Sequence, residues 1–281
     1  MLKLMYITNR PDVARIAESA GVDRIFVDME FIGKDERQKG LDTVKSHHTV
    51  QDVAAIRASV TKAEVLVRVN PIHDALPDYM SSGDEIDAVI EAGADILMLP
   101  YFKTVEEVRT FVHLVNGRAR AMLLLETPEA TKRVDEILAV PGIDEIHIGL
   151  NDLSLGYGLP FMFQLLADGT VERLCRKFCK ADILYGFGGI AAPGGGELPA
   201  EYIIREHYRL GSGCVILSRS FCDTAKVTDL DAVRDTFNRG VAEIRAVERE
   251  CEGQSESFFA DNQRELCRRV QLISERIAAG K

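Results

Sequence analysis

Short apolar runs alternate with longer amphipathic stretches almost from one end of the chain to the other. The runs at 2–7, 24–30, 64–70, 95–101, 120–126, 145–150, 183–188 and 214–218 are rich in Val, Ile and Leu. They read as strands buried on both faces, as in a parallel sheet. Between them the spacing predicts helices over 11–20, 49–59, 84–92, 105–115, 128–139, 171–180 and 200–209. Cap residues open several of these: Asp84 after Gly83, Thr104 before Val105, and Thr127 before Pro128. Gly21, Gly93, Gly117 and Gly211 close others. Eight strands with intervening helices in 281 residues predict an α/β protein, a (β/α)8 TIM barrel occupying 1–281 as one domain. The alternative is an open doubly wound sheet. That fold more often carries a glycine-rich loop after its first strand, where this chain has Thr8-Asn9-Arg10-Pro11.

Three segments exceed what a minimal barrel needs. A polar loop covers 31–48. A second, at 189–199, contains Pro193-Gly194-Gly195-Gly196 and reads as mobile. Residues 227–281 form a helical C-terminal extension, broken near Gly253-Gln254-Ser255. This extension is either an appendage to the last barrel helix or an arm that packs on a partner subunit of a homo-oligomer.

Composition narrows the function. A formal charge of -10 argues against a nucleic-acid partner. No apolar stretch approaches the roughly 20 residues of a membrane helix, and the start has no signal-peptide plan. The six cysteines do not form a disulfide framework in a chain this long, so a reduced, cytoplasmic protein is expected. Cys175 and Cys179 are four apart on one predicted helix face, with too few further Cys or His for a zinc site.

The chemistry concentrates where strands end. Read in order, the strand ends offer Asp28 and Glu30, Arg68 and Asn70, Tyr101, Glu126, Asp152, Gly188-Gly189, and Ser218-Arg219-Ser220. In a barrel that rim is the active-site face. Any one of these has a plain structural explanation, such as a turn cap at Asp28 or an ion pair at Arg68; the joint pattern carries more. Glu126 and Asp152 close the neighbouring runs Met122-Leu123-Leu124-Leu125 and Ile146-His147-Ile148-Gly149-Leu150. Two carboxylates without a Cys or His pair favour one hard divalent cation, Mg2+ or Mn2+, leaving positions for water and substrate.

Four segments carry a resemblance: Val27-Asp28-Met29-Glu30, Val67-Arg68-Val69-Asn70-Pro71, Leu123-Leu124-Leu125-Glu126-Thr127, and Ile148-Gly149-Leu150-Asn151-Asp152-Leu153-Ser154. In register from about the second strand to the eighth, the chain resembles the metal-dependent pyruvate aldolase and citrate lyase beta-subunit family. That family belongs to the phosphoenolpyruvate/pyruvate-binding barrels. The resemblance implies that Glu126 and Asp152 hold the metal. It implies that Arg68 binds the oxygens of a small 2-oxo acid and its enolate. It further implies that Asp28 and Glu30 organise water and hydrogen bonds, and that the turn Leu150, Asn151 and Asp152 receives the substrate carboxylate. The expected activity is a carbon–carbon lyase of aldolase type. A citrate lyase-like enzyme using acyl-CoA or phosphoenolpyruvate, and a non-catalytic oxo-acid-binding homologue, are the alternatives.

The chain departs from the aldolase pattern in two places. Hydroxy-acid aldolases carry a histidine directly after the acid matching Glu30, and this chain has Phe31. The nearest histidines, His47 and His48, lie at the far end of the loop and either fold back as the base or serve as a helix cap or solvent-exposed residues. Leu124 stands where some aldolases have glutamine, which makes the pocket wall more apolar. Of the other histidines, His147 reads as barrel packing, His73 as able to reach the site, and His113 and His207 as structural.

Overall fold

The computed structural model describes residues 1–34, 48–224 and 226–280. Eight parallel strands close into a barrel in chain order. They are β1 (Lys3–Ile7), β2 (Arg24–Asp28), β3 (Glu64–Arg68), β4 (Ile96–Leu99), β5 (Arg120–Leu125), β6 (Glu145–Ile148), β7 (Leu184–Ile190) and β8 (Cys214–Leu217). Closure comes from the β1–β8 pairing, with Lys3 opposite Cys214 and Tyr6 opposite Leu217.

Alternation along each strand builds two cores. Ile25, Val27, Val65 and Val67 face outward into the large layer between sheet and helices. Met5, Phe26, Leu66, Met98, Met122 and Leu124 face inward and fill the barrel. A period of two then places Arg24 below Phe26 and Asp28 above it on β2. On β3 the order is Glu64, Leu66, Arg68, in register with the β2 set. Each end of the barrel therefore receives an opposed pair of charges from adjacent strands.

The helices follow the strands. They are α1 (Pro11–Ser19), α2 (Val50–Ser59), α3 (Ser82–Glu91), α4 (Val105–Val115), α5 (Pro128–Lys132), α6 (Val134–Leu138), α7 (Leu150–Gly156), α8 (Gln164–Ala167), α9 (Thr170–Lys180), α10 (Ala200–Arg209), α11 (Leu230–Cys251) and α12 (Glu256–Ala278). Thr104 forms a capping box with Glu107, and Thr127 accepts from the Ala130 amide, as their positions predict. Two expectations need correction. Ser81, not Asp84, caps α3: its hydroxyl accepts the Asp84 amide, so Asp84 sits inside the first turn. The helix expected over 128–139 is two short helices, because Arg133 leaves helical geometry at φ -107° and ψ 14°.

The C-terminal segment is helical as expected. Helix α11 packs between α1 and α10 as the eighth barrel helix. Buried Glu248 on it accepts the Leu2 amide, and Arg245 donates to the Leu2 carbonyl at 2.8 Å, which ties the start of β1 to the last barrel helix. Helix α12 turns back onto α10 and α8 of its own chain. There Asn262 donates to the Tyr202 carbonyl and to Glu206, both at 3.1 Å. Among the described residues no helix is long and apolar enough to cross a membrane.

Candidate active site

The carboxyl ends of the strands open into a cavity of about 680 Å³. Asp28, Arg68, Glu126, Leu150, Asn151 and Asp152 all line it, as does His48. That volume lies within the usual range for small-molecule sites, roughly 300–1,000 Å³.

Arg68 is the centre of a buried ion-pair group. Its Nε and Nη2 donate to the two oxygens of Asp28, both at 2.8 Å, and its Nη1 lies 3.2 Å from Glu30 Oε2. The in-register pairing of Asp28 with Arg68 across β2 and β3 sets this fork. Burial alone would raise the Asp28 carboxyl. The Arg68 charge and hydrogen bonds, with Lys34, outweigh it and hold Asp28 well below the usual carboxylate range. Burial likewise opposes the Arg68 charge, and Asp28 and Glu30 more than offset it.

Lys34 completes the group. It is 5% exposed and places Nζ 3.2 Å from Asp28 Oδ2 and 3.4 Å from Glu30 Oε2. The sequence reading did not single it out. The available signal was its position four residues after Glu30, a spacing that brings side chains together over one helical turn.

Glu126 follows β5 directly and is buried. Its Oε1 accepts the amide of Tyr101, itself held at a left-handed φ of 48°. Gly149 faces its other oxygen: a Cβ there would lie 2.7 Å from Glu126 Oε2. The glycine is therefore a space requirement for the carboxylate. Asp152 is placed differently from expectation. Strand β6 stops at Ile148, Gly149 caps α7, and Asp152 sits in the first turn of that helix. The chain must turn after Ile148 to bring the side chain back over the rim. Among the described residues no three His, Cys, Asp or Glu side chains gather to hold a metal ion.

His48 does come to the site. Its Nδ1 accepts the backbone amide of Asp28 at 2.9 Å, and burial lowers its pKa. A backbone amide can only donate, so Nδ1 is the unprotonated nitrogen and the ring proton sits on Nε2. His47 lies outside the described residues. His73 does not reach the cavity; its Nδ1 meets the Pro71 carbonyl and Ser82, and its Nε2 the Met80 carbonyl. His147 is buried in the barrel with Nε2 bonded to the Gly188 carbonyl, and burial lowers it to about 4. His207 stacks on Phe187 with centroids 3.7 Å apart, while His113 is exposed on α4.

Asn70 serves the loop and not the cavity. Its Oδ1 accepts the amides of Phe31 and Ile32 at 2.9 and 3.0 Å, and its Nδ2 donates to Glu85. This pins the turn that carries Lys34. Phe31 is 40% exposed and packs edge-on against Tyr79. Phe161, Met162 and Phe163, between α7 and α8, form an apolar wall that no motif in the sequence announced.

Comparison with known proteins agrees with this geometry. A hydroxypyruvate/pyruvate aldolase from Sagittula stellata is 25% identical over 180 residues, which span 53% of this chain and 62% of that protein. The match therefore covers under two thirds of the relative's length. A crystal structure of an HpcH/HpaI aldolase/citrate lyase family protein from Burkholderia cenocepacia superposes with a TM-score of 0.60 at 19% identity, covering 83% of this chain and 94% of the other. An HpcH/HpaI aldolase from Desulfitobacterium hafniense gives 0.58 at 17% identity, with 83% and 93% covered. At these identities the two structures speak for the fold. The HpcH/HpaI aldolase/citrate lyase family profile matches residues 3–160, more than half of the chain. The chain belongs to the HpcH/HpaI aldolase/citrate lyase family.

Proposed function

We propose that this protein is a divalent-metal-dependent carbon–carbon lyase that makes or breaks a bond beside the carbonyl of a small 2-oxo acid, through a pyruvate-type enolate. The observation that carries this reading is the convergence of Arg68 with Glu126 and Asp152 on one cavity. The family relationship and the pyruvate aldolase relative support the same class.

The residues fit a hard cation. The donors are carboxylate oxygens, and the absence of a Cβ at Gly149 keeps space beside Glu126 Oε2. Two protein ligands leave the other positions to water and substrate. A bound Mg2+ or Mn2+ would act as a Lewis acid on the oxygens of the 2-oxo acid. Arg68, held by Asp28 through Nε and Nη2, offers its charge and its remaining Nη protons to the oxygen on which enolate charge develops. The backbone of Leu150, Asn151 and Asp152 at the start of α7 offers amides without helical partners to the substrate carboxylate. Leu124 and the Phe161–Met162–Phe163 wall exclude water, which strengthens each of these interactions. His48, with Nδ1 accepting the Asp28 amide, serves as a donor into the site through Nε2.

A 2-oxo acid of pyruvate size has six non-hydrogen atoms. Even at the roughly 30 Å³ share of a water molecule each, it fills about a quarter of the cavity. The remainder accommodates the second reactant.

Two measurements test the reading. Calorimetric titration of Mn2+ with pyruvate should show binding to the wild-type protein. In Glu126→Gln and Asp152→Asn that binding should weaken by at least the roughly 10–100-fold known for outer-shell substitutions. Deuterium exchange into the pyruvate methyl group reports enolisation without knowledge of the second substrate. Unchanged metal binding in both variants sinks the metal assignment; wild-type protein without exchange in Mg2+ or Mn2+ sinks the enolate.

A further inference from the structure

The polarity of the cavity beyond the oxo-acid site names the reactant that fits there. The charged side chains of the lining sort by strand. Asp28, Lys34, Arg68, Glu126 and Asp152 follow β2, β3, β5 and β6 and make up the oxo-acid site described above. Toward β1 and β8, Arg10 donates twice to Asp12, Asp223 pairs with Lys226, and Glu197 pairs with Arg276. Arg219 is exposed at the rim after β8, and Cys222 is buried with its carbonyl accepting the Tyr6 hydroxyl.

The lining contributed by the α7–α8 connection and by β7 has another character. Gln164 holds the connection in a tight turn: its Oε1 accepts the Phe161 amide at 3.1 Å, and its own amide donates to the Phe161 carbonyl at 3.0 Å. Phe161 and Phe163 are buried and pack edge to face, with centroids 5.4 Å apart. Met162 between them is half-buried and lines the cavity with an unbranched, adaptable side chain. At the end of β7, Gly188 and Gly189 bring no side chain to the lining. Gly188 has φ 55°, and a Cβ there would lie 2.7 Å from Leu150 Cδ1, so Leu150 occupies that place. Ala191, Leu198 and Ile203 continue the apolar surface. A charged group seated here would lose water without gaining a partner, whereas a buried methylene is favoured.

We propose that the second reactant is an uncharged aldehyde with an apolar chain, seated on the Phe161–Met162–Phe163 wall and the glycine end of β7, and that Met162 is the residue that selects for the chain. The assignment rests on the enolate reading above and deepens it. In the bond-forming direction the C2–C3 electron pair of the enolate makes the new bond to the aldehyde carbon. The carbonyl pair moves onto the aldehyde oxygen. The proton lost from C3 returns through solvent to that oxygen, so a 4-hydroxy-2-oxo acid forms without a further reactant. Hexanal has seven non-hydrogen atoms and fills about a third of the cavity at roughly 30 Å³ each, which leaves room for pyruvate beside it.

The test is condensation of pyruvate with a series of aldehydes, followed by NMR with Mg2+ present. From acetaldehyde to hexanal, kcat/KM should rise by about fourfold for each methylene. Butanal should exceed 4-oxobutanoate, the same chain with a carboxylate in place of the terminal methyl, by about 100-fold or more. Met162→Gln keeps the length of the side chain and makes it polar; the ratio of hexanal to acetaldehyde should fall by about tenfold. A second readout needs neither metal nor turnover. In protein labelled with 13C at the methionine methyls, hexan-1-ol should shift the Met162 resonance, identified by its absence in Met162→Gln. A flat dependence on chain length, or an unchanged ratio in folded Met162→Gln, would overturn the assignment. So would a Met162 resonance that ignores hexan-1-ol, or a preference for 4-oxobutanoate, which would hand the second reactant to Arg219. Exchange of pyruvate methyl protons with D2O separates the two readings. Wild-type protein that fails to exchange overturns the enolate, whereas protein that exchanges but condenses with none of these aldehydes overturns the apolar reactant alone.

Discussion

The two ends of the barrel are built from similar charges to different ends. At the amino end Arg24 is fully buried; its Nη1 and Nη2 donate to Glu145, both at 2.7 Å, and its Nε donates to Glu64 at 2.9 Å. Arg120 bridges the same two acids, and Lys3 adds a longer pair to Glu64. Three cations meet two acids, and the group fills the amino end of the barrel. At the carboxyl end, on the side of β2 to β6, Arg68 and Lys34 face four acids: Asp28, Glu30, Glu126 and Asp152. This group borders the cavity of about 680 Å³. Register across β2 and β3 places one opposed pair at each end. What distinguishes the ends is that the carboxyl-end group borders the cavity, with Asp28, Arg68, Glu126 and Asp152 all on its lining.

The comparison can be broken most decisively at Arg68. Arg68→Lys retains the charge and loses the bidentate fork to Asp28. Turnover, read as pyruvate proton exchange, should fall by about 100-fold or more, in line with loss of a preorganised donor. The fork is structural as well, so a stability loss of about 1.5–3 kcal/mol should accompany it in urea denaturation. Wild-type exchange in a folded Arg68→Lys protein would remove this residue from the chemistry.

The amino end should show the opposite profile. Arg24→Met leaves Glu145 buried with only Arg120 beside it, and the cost should be about 3–5 kcal/mol of stability. Where the variant stays folded, KM for pyruvate and metal affinity should match wild type. A change in either would mean that the two ends communicate through the barrel interior.

A smaller effect sharpens the role of the middle layer. His147 is neutral in the folded chain, with burial lowering it to about 4 from an ordinary value of 6.5. Between these values the unfolded chain binds a proton that the folded chain excludes. Stability therefore falls as pH drops from about 6.5 toward 4, by about 3 kcal/mol from this group, and is unaffected by it above 6.5. Denaturation curves at pH 7 and 4.5 measure the slope. His147→Gln should flatten it; an unchanged slope would assign the acid sensitivity to His207 and His48, which burial also lowers.

Much of the architecture was legible before any coordinates. Val- and Ile-rich runs of five or so residues can only be buried strands, and the eight found lie within two residues of their expected ends. The exceptions mark places where side chains override spacing. Ser81 took the cap of α3 because its hydroxyl reaches the Asp84 amide. Asp152 sits in the first turn of α7 and not at the strand end, because the chain turns into the helix at Gly149. At the site, Arg68, Asp28 and Glu126 were legible because each is a charged residue closing a short apolar run. Lys34 and the Phe161–Met162–Phe163 wall were not, because loop residues carry no periodicity.

The sequence by itself pointed to the barrel, to polar residues at its strand ends, and to the oxygen-rich character of the rim. These follow from a period of two and from which residues can be buried without a partner. Only the tertiary structure decided which groups meet. It brought His48 back onto the Asp28 amide, which donates to its Nδ1. It inserted Lys34 between Asp28 and Glu30. It turned α12 onto its own barrel through Asn262 and Glu206. Such contacts depend on loop paths and on hydrogen bonds between segments distant in the chain, and no local pattern encodes them.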